Sequence, residues 1–303
     1  MAEITAHLVK ELREITGAGM MDCKKALMEA EGEIELAIDN LRTRGLAALS
    51  KKSGRATNEG AIAVALAADS RTVAMLELNC ETDFVATNAT FTGFAQQLAD
   101  IVLVKDPDDV DALKAAAVPG ADLTVENLFA DMVNKLGENM GVARFVRASI
   151  EGAGAFAYYI HGGAKIAVIV AFALGKQETA ESEAFKAYGK DIAMQVCAAD
   201  PIALDRDSFD PATIAHELSI YKAQAAESGK PEAIQTKMAE GRLNKFYKEQ
   251  ALVEQAFVKD MDISISDYTQ RVSKEIGDTI TITSFTRFNL GETASSEEAE
   301  AAN

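Results

Sequence analysis

The chain repeats itself, and the repeat limits what it can fold into. Shifted by 94 residues, GAIAVALAADSRTVAMLELN from Gly60 lies over GAFAYYIHGGAKIAVIVAFA from Gly154 without a gap. Ile62 then meets Phe156, Val64 meets Tyr158, Arg71 meets Lys165, and Met75 and Leu76 meet Ile169 and Val170. Each segment is apolar and is divided by a short turn, AADS in one copy and HGGA in the other, which is the pattern of a β-hairpin. FTGFAQQLADIV from Phe91 lies over FKAYGKDIAMQV from Phe185 in the same register, so a helix follows each hairpin. A second match, at 140 residues, lays NKLGENMGVARFVRASI from Asn134 over KEIGDTITITSFTRFNL from Lys274. It pairs Leu136 with Ile276, Gly137 with Gly277, Phe145 with Phe285 and Arg147 with Arg287. Each copy reads as hairpin, helix, variable middle, helix and closing strand. The expected fold is α+β: a three-stranded antiparallel sheet with helices on one face, made twice.

The two shifts differ by 46 residues, which places an insertion in the second copy near 201–249. Asp210-Pro211 is a helix start with Pro in the first turn, and Ile214, Leu218, Tyr221 and Ala225 follow at helical spacing. SGKP (Ser228 to Pro231) is a turn, and Ile234, Met238 and Gly241 begin a second helix that runs through Leu243 and Phe246. Such a helical hairpin either packs on its own sheet or serves as a self-association (dimerisation) arm, and both readings stay open.

Ahead of the repeat, HLVKELREITGAGMMDCKKALMEAEGEIELAIDNLRTRGLAAL reads as three short helices. Leu8, Leu12 and Ile15 recur at helical spacing, Thr16-Gly17-Ala18-Gly19 breaks the pattern, Asp22 opens a second helix, and Gly32 ends it. Ile34, Ala37, Ile38 and Leu41 form a third stripe before Gly45, and Arg42 to Arg55 reads as a linker with a cationic face. Met20 and Met21 fall in the turn, where methionine either plugs the small core or offers a soft surface to a partner. The expected organisation is a three-helix unit over 1–55, one copy over 56–150, the second over 151–200 and 250–291, the insertion between, and a disordered acidic tail over 292–303.

A net charge of -17 argues against direct binding to nucleic acid. No apolar run approaches the roughly 20 residues of a membrane span, and MAEITAHLVKELREITGAG lacks the apolar stretch of a signal peptide, so a cytoplasmic protein is expected. Cys23, Cys80 and Cys197 read as free buried thiols. His7, His161 and His216 sit in three different modules, without metal-ligand spacing, a nucleophile elbow or a phosphate-binding lysine loop. No catalytic residue, cofactor or metal is expected; of the histidines, His161 at the hairpin turn is the surface candidate. A thiol enzyme at Cys80 would need a low thiol pKa.

One residue stands out against the repeat. NCETDFVATN (Asn79 to Asn88) leaves a strand, and at the 94-residue shift Asp83 falls on Gln177 and Phe84 on Glu178. The second copy makes this exit with polar residues, so the architecture does not require an aromatic there. Phe84 either tucks against Phe91 or Phe94 or is displayed as a recognition anchor, and the repeat favours display.

LREITGAGMMDCKKAL (Leu12 to Leu27) and ELNCETDFVA (Glu77 to Ala86) resemble the two signature segments of the bacterial elongation factor Ts family. The similarity continues through KLGEN (Lys135 to Asn139), YIHGGAKIAVIV, IAMQV, SGKP and MAEGRLNKF to FTRFNLGE. It implies a ubiquitin-associated-like N-terminal domain, a duplicated core and a dimerisation hairpin. It also implies a guanine-nucleotide exchange factor for elongation factor Tu, which would be its partner. By the resemblance, Phe84 of the Thr82-Asp83-Phe84-Val85 motif wedges into the partner's nucleotide domain and disturbs its magnesium and phosphate sites. Arg13, Met20, Met21, Leu136, Gly137 and His161 match further family contacts. The alternative is an adaptor whose three-helix unit binds a partner without any effect on nucleotide.

Overall fold

The computed structural model describes residues 4–292, apart from the side chains of residues 48–50. From residue 293 onward the expected acidic tail lies outside the described residues. Three helices come first: α1 (Ala6–Thr16), α2 (Met20–Glu29) and α3 (Ile34–Lys52). Thr5 caps α1, and Gly17, in the left-handed region at φ +67°, ends it. Leu12, Cys23, Ala26, Leu27, Ala37 and Leu41 fill the small core between the three.

Two expectations need correction here. Helix α2 begins at Met20, not at Asp22. The Cys23 amide already bonds to the Gly19 carbonyl at 2.9 Å, and Asp22 sits in the first turn, where a carboxylate favours the helix N-terminus. Helix α3 does not stop before Gly45, and the expected linker is helical as far as Lys52. The reason lies in the first repeat.

That repeat comprises β1 (Glu59–Leu66), β2 (Thr72–Cys80), α4 (Asp83–Ala86), α5 (Ala89–Lys105), α6 (Val110–Ala115), α7 (Val125–Leu136) and β3 (Met140–Ser149). The α3 helix runs against α7, and a Cβ at Gly45 would stand 2.5 Å from Asn134 Nδ2 and 3.0 Å from the Ala130 carbonyl. The glycine is there for close approach, so it does not act as a helix stop.

The second repeat comprises β4 (Gly154–His161), β5 (Ile166–Leu174), α8 (Glu183–Ala199), α9 (Pro211–Ala226), α10 (Glu232–Gln250), β6 (Ala256–Phe257), β7 (Asp260–Ser264), α11 (Ile265–Ile276) and β8 (Ile280–Asn289). Two antiparallel three-stranded sheets result, ordered β1-β2-β3 and β4-β5-β8. Even their irregularity is duplicated: the register slips between Glu77 and Leu78 in one sheet and between Ala171 and Phe172 in the other, 94 residues apart.

Both faces of each sheet are covered. Ala61, Ala63, Leu76 and Leu78 meet Phe91, Phe94 and Leu98 of α5 and Phe129 and Val133 of α7. Val168, Val170 and Phe172 likewise meet Phe185, Tyr188 and Ile192 of α8. The opposite faces meet each other: Ile62, Val64, Val73 and Met75 pack against Phe156, Ile169 and Phe288. The strands β1 and β5 are accordingly near-continuous apolar runs, the pattern of strands buried on both faces. Within this seam Glu77 is fully buried and bonds Arg144 Nε at 2.8 Å and accepts from the Gly291 amide. Arg144 also donates to the Asn289 carbonyl and lies 4.0 Å over the Phe288 ring.

The inserted segment leaves and rejoins the second repeat at one point. The Ile202 amide donates to the Gln250 carbonyl at 3.0 Å, and the Leu252 amide to the Ala203 carbonyl at 2.9 Å. Phe209, Ile214, Phe246 and Tyr247 pack at this base with Ala203 and Ala251. Farther out, Ala225 and Ala239 are buried, while Leu218, Tyr221 and Met238 are only half-buried. Among the described residues, no helix is long and apolar enough to cross a membrane.

Candidate functional site, a displayed phenylalanine

At the end of β2 the chain makes one helical turn, α4, and Phe84 lies on its outside with 83% of its surface exposed. The ring is not tucked against Phe91 or Phe94. Both of those are buried, and Phe94 stands edge-on to Phe129 at 5.0 Å. Thr82 is the N-cap, its hydroxyl accepting from the Val85 amide at 3.4 Å, and the Thr87 hydroxyl donates to the Asp83 carbonyl at 3.0 Å. Val85 turns inward onto the first core, and Asp83 is exposed beside Phe84. So brief a helix has little stability of its own; its shape comes from what holds its ends.

Glu138, two residues past the end of α7, holds the near end. One of its carboxylate oxygens accepts from the Glu81 amide at 3.1 Å and the Thr82 amide at 3.0 Å, and the other accepts from the Thr82 hydroxyl at 2.6 Å. In return Glu81 accepts from the Asn139 amide at 2.6 Å and from Arg55 Nη1 at 3.3 Å. The Asn139 amide, followed by the Arg55 guanidinium, pulls the Glu81 carboxyl below its usual range. Gly137 makes the corner possible: it caps α7 at φ +81°, and its carbonyl accepts from Lys52 Nζ at 2.6 Å. Leu136 is half-buried against the first core.

The second hairpin reaches the same end of the first sheet, where β1 begins and β2 ends. The Ala164 carbonyl accepts from the Ile62 amide at 2.8 Å, and Lys165 pairs with Glu59 at 3.1 Å. His161 stands exposed on this hairpin, its Nδ1 3.0 Å from the Tyr159 hydroxyl. Phe84, the Leu136–Gly137 corner and His161 thus gather around one edge of the molecule.

Arg13, Met20 and Met21 form a second group, on the three-helix unit. They line a hollow of about 680 Å³ together with Val9, Lys10 and Lys24. Met20 is 60% and Met21 74% exposed, so neither plugs the small core. The first turn of α2 points them outward, whereas Cys23, Ala26 and Leu27 face in.

A thiol nucleophile at Cys80 is not supported. Burial, and then the Glu138 charge, push its pKa up to about 12, and its Sγ donates to the Thr82 carbonyl at 3.3 Å. Cys23 is also buried, while Cys197 is only half-buried, which departs from the expectation of three buried thiols. Among the described residues no cluster of His, Cys, Asp and Glu could hold a metal ion. Sequence reasoning missed Glu138, Glu81, Asn139 and Arg55. A signal for Glu138 was present, since an acid follows the helix-ending glycine in both copies, at Glu138 and at Asp278.

Residues 81–292 match the family model described as elongation factor TS. The elongation factor Ts of Clostridium kluyveri is 45% identical over 298 residues, covering 98% of this chain and 96% of its own length. Those of Trichlorobacter lovleyi and Nitratidesulfovibrio vulgaris are 44% and 43% identical over 98% of this chain. With similarity of this extent, the chain belongs to the elongation factor Ts family.

Proposed function

We propose that this protein is a guanine-nucleotide exchange factor for elongation factor Tu, acting in the cytoplasm during translation elongation. Its displayed Phe84 enters the nucleotide domain of that partner and disturbs the magnesium and phosphate sites. The observation that carries the proposal is the 83% exposure of an aromatic ring on a capped, latched turn in a member of this family. An aromatic side chain on a rigid mount loses little entropy on entering a pocket, which suits it to act as an anchor. Asp83 lies beside it on the same edge, Thr82 and Val85 hold the turn, and Leu136, Gly137 and His161 border it. Arg13, Met20 and Met21 give a separate docking patch whose methionines can adapt to the partner's surface.

The physical basis is differential binding. A factor speeds nucleotide release only if it binds the nucleotide-free or distorted partner more tightly than the GDP-bound one. Bound GDP must then weaken the complex by the same factor. No bond is made or broken on this chain, so the function needs neither a cofactor nor a catalytic group here. The helical unit over 1–55, taken as ubiquitin-associated-like, is the docking module, and the two repeats over 56–150 and 151–200 with 250–291 present the wedge. The arm over 201–249 mediates self-association; its half-exposed seam is what supports that role.

The test is linkage. Immobilised protein should capture purified elongation factor Tu, and added GDP should elute it. Capture that is indifferent to GDP would leave a plain adaptor in place of an exchange factor.

A further inference from the structure

The internal duplication provides a control for the turn that carries Phe84. In the second copy the acid after the helix-ending Gly277 is Asp278, which lies 140 residues after Glu138. Asp278 accepts from the Lys176 amide at 3.0 Å, and Lys176 lies 94 residues after Thr82. It also accepts from the Thr179 hydroxyl at 2.6 Å. Both copies therefore close the joint with a carboxylate just before the last strand, which takes the amide of Thr82 in one and of Lys176 in the other. The second copy sends its Gly175 amide to the Thr279 carbonyl and supplies its hydroxyl from three residues farther on. In the second copy the joint carries a 3-10 turn over Gln177–Glu181, with polar Glu178 exposed at the position of Phe84. In the first copy the same grip carries the displayed ring.

We propose that Glu138 is the positioning residue for Phe84: a fold-wide latch that in the first copy has the further task of setting the direction of the ring. This role rests on the exchange function proposed above. The geometry fits it. Glu138 takes the amides of Glu81 and Thr82 and also the hydroxyl that caps the turn, so three bonds fix the residues immediately before Asp83 and Phe84. The far end is held by burial of Ala86 and by the Asn88 side chain, which accepts from the Thr90 amide at 2.8 Å. Glu138 is itself only half-exposed, and its mount, Gly137, is anchored by Lys52. A ring displaced by a fraction of an ångström still lets the three-helix unit dock, but it meets the partner's nucleotide domain poorly.

The experiment measures release of fluorescent GDP from elongation factor Tu, with the full-length protein titrated to saturation. Loss of charge-assisted hydrogen bonds at the mount should lower the maximal release rate by about tenfold in Glu138→Ala. The concentration for half effect should stay within about twofold, because docking is kept. Glu138→Gln, whose amide oxygen still accepts from the two backbone amides, should recover most of the rate. Asp278→Ala breaks the equivalent latch, and should lower the melting temperature while leaving release unchanged. The proposal is overturned if Glu138→Ala releases GDP as fast as the natural protein, or if Asp278→Ala is slowed equally. Should Glu138→Ala not fold, Thr82→Val removes the hydroxyl from the same latch, and unchanged release in that variant would overturn the proposal too. If the natural protein leaves GDP release at its unaided rate, the exchange function itself is gone and this role goes with it.

Discussion

At the scale of single residues, the chain separates display from support. Phe84 is exposed, so its truncation should leave folding stability within about 0.5 kcal/mol of the natural protein, which chemical denaturation can check. Cys80 behaves oppositely: it is buried and its thiol is pushed up to about 12. In the native protein it should resist alkylation at neutral pH and react only on unfolding, as mass spectrometry would show. Rapid native labelling of Cys80 would reopen a thiol chemistry. Carboxylates set the acid limit. Glu81 is depressed by the Asn139 amide and Arg55, Glu254 by its Arg206 pairing, and Asp278 by the Thr179 hydroxyl. Folded values below the unfolded ones mean that this stabilisation is fully present above about pH 4 to 4.5 and is lost as pH falls through the lower folded values. Urea midpoints should therefore hold from neutral pH to about 5 and drop below the ordinary carboxylate range. A midpoint that rose on acidification would contradict this assignment of charges.

At the scale of elements, glycine and the insertion carry the clearest expectations. Gly45 lets α3 lie against α7, and Gly45→Leu forces a side chain into space held by Asn134 and Ala130. Overpacking of this kind costs about 1–3 kcal/mol, so the melting temperature should fall; an unchanged one would mean that α3 does not dock there. The arm joins its repeat where Ile202 meets Gln250. Replacing 201–249 by two glycines should leave cooperative unfolding intact and, if the arm mediates self-association, convert a dimer to a monomer by sedimentation. Non-cooperative unfolding would show instead that the arm is part of the core. These elements also show how much the sequence disclosed. The two antiparallel hairpins and the helix after each were legible because the duplication supplies two samples of every apolar pattern. Gly45 was misread because spacing along the chain cannot distinguish a glycine that ends a helix from one that admits a neighbour. Packing of sheet on sheet was not foreseen either: Ile62 and Val64 show that a face is apolar, and nothing in the pattern says what covers it. Phe84 was legible by comparison of the copies, whereas its latch depends on Glu138 and Thr82, which are distant in sequence and meet only after folding.

At the scale of the whole molecule, the back-to-back sheets make a rigid frame with Phe84 at one end. Glu77 and Arg144 lie in the seam between them. Arg144→Met would strand the fully buried Glu77 charge and should cost about 3–5 kcal/mol, and adding Glu77→Leu should return much of that loss. A double variant as unstable as the single one would show that the pair itself, beyond its desolvated charge, holds the sheets together. A stiff frame matters to the proposed wedge, which acts only if its mount does not yield, and the helical unit, proposed to dock through Met20 and Met21, must then present the ring at a fixed distance. The central claim is that Phe84 converts this docking into nucleotide release. The measurement that meets it most directly is the rate of fluorescent GDP release from elongation factor Tu, with the natural protein and with Phe84→Ala. The natural protein should speed release, and the variant, folded and still captured, should lose about 30-fold or more, the scale of a truncated aromatic anchor. Equal acceleration by both proteins would contradict the wedge, whatever else the chain binds.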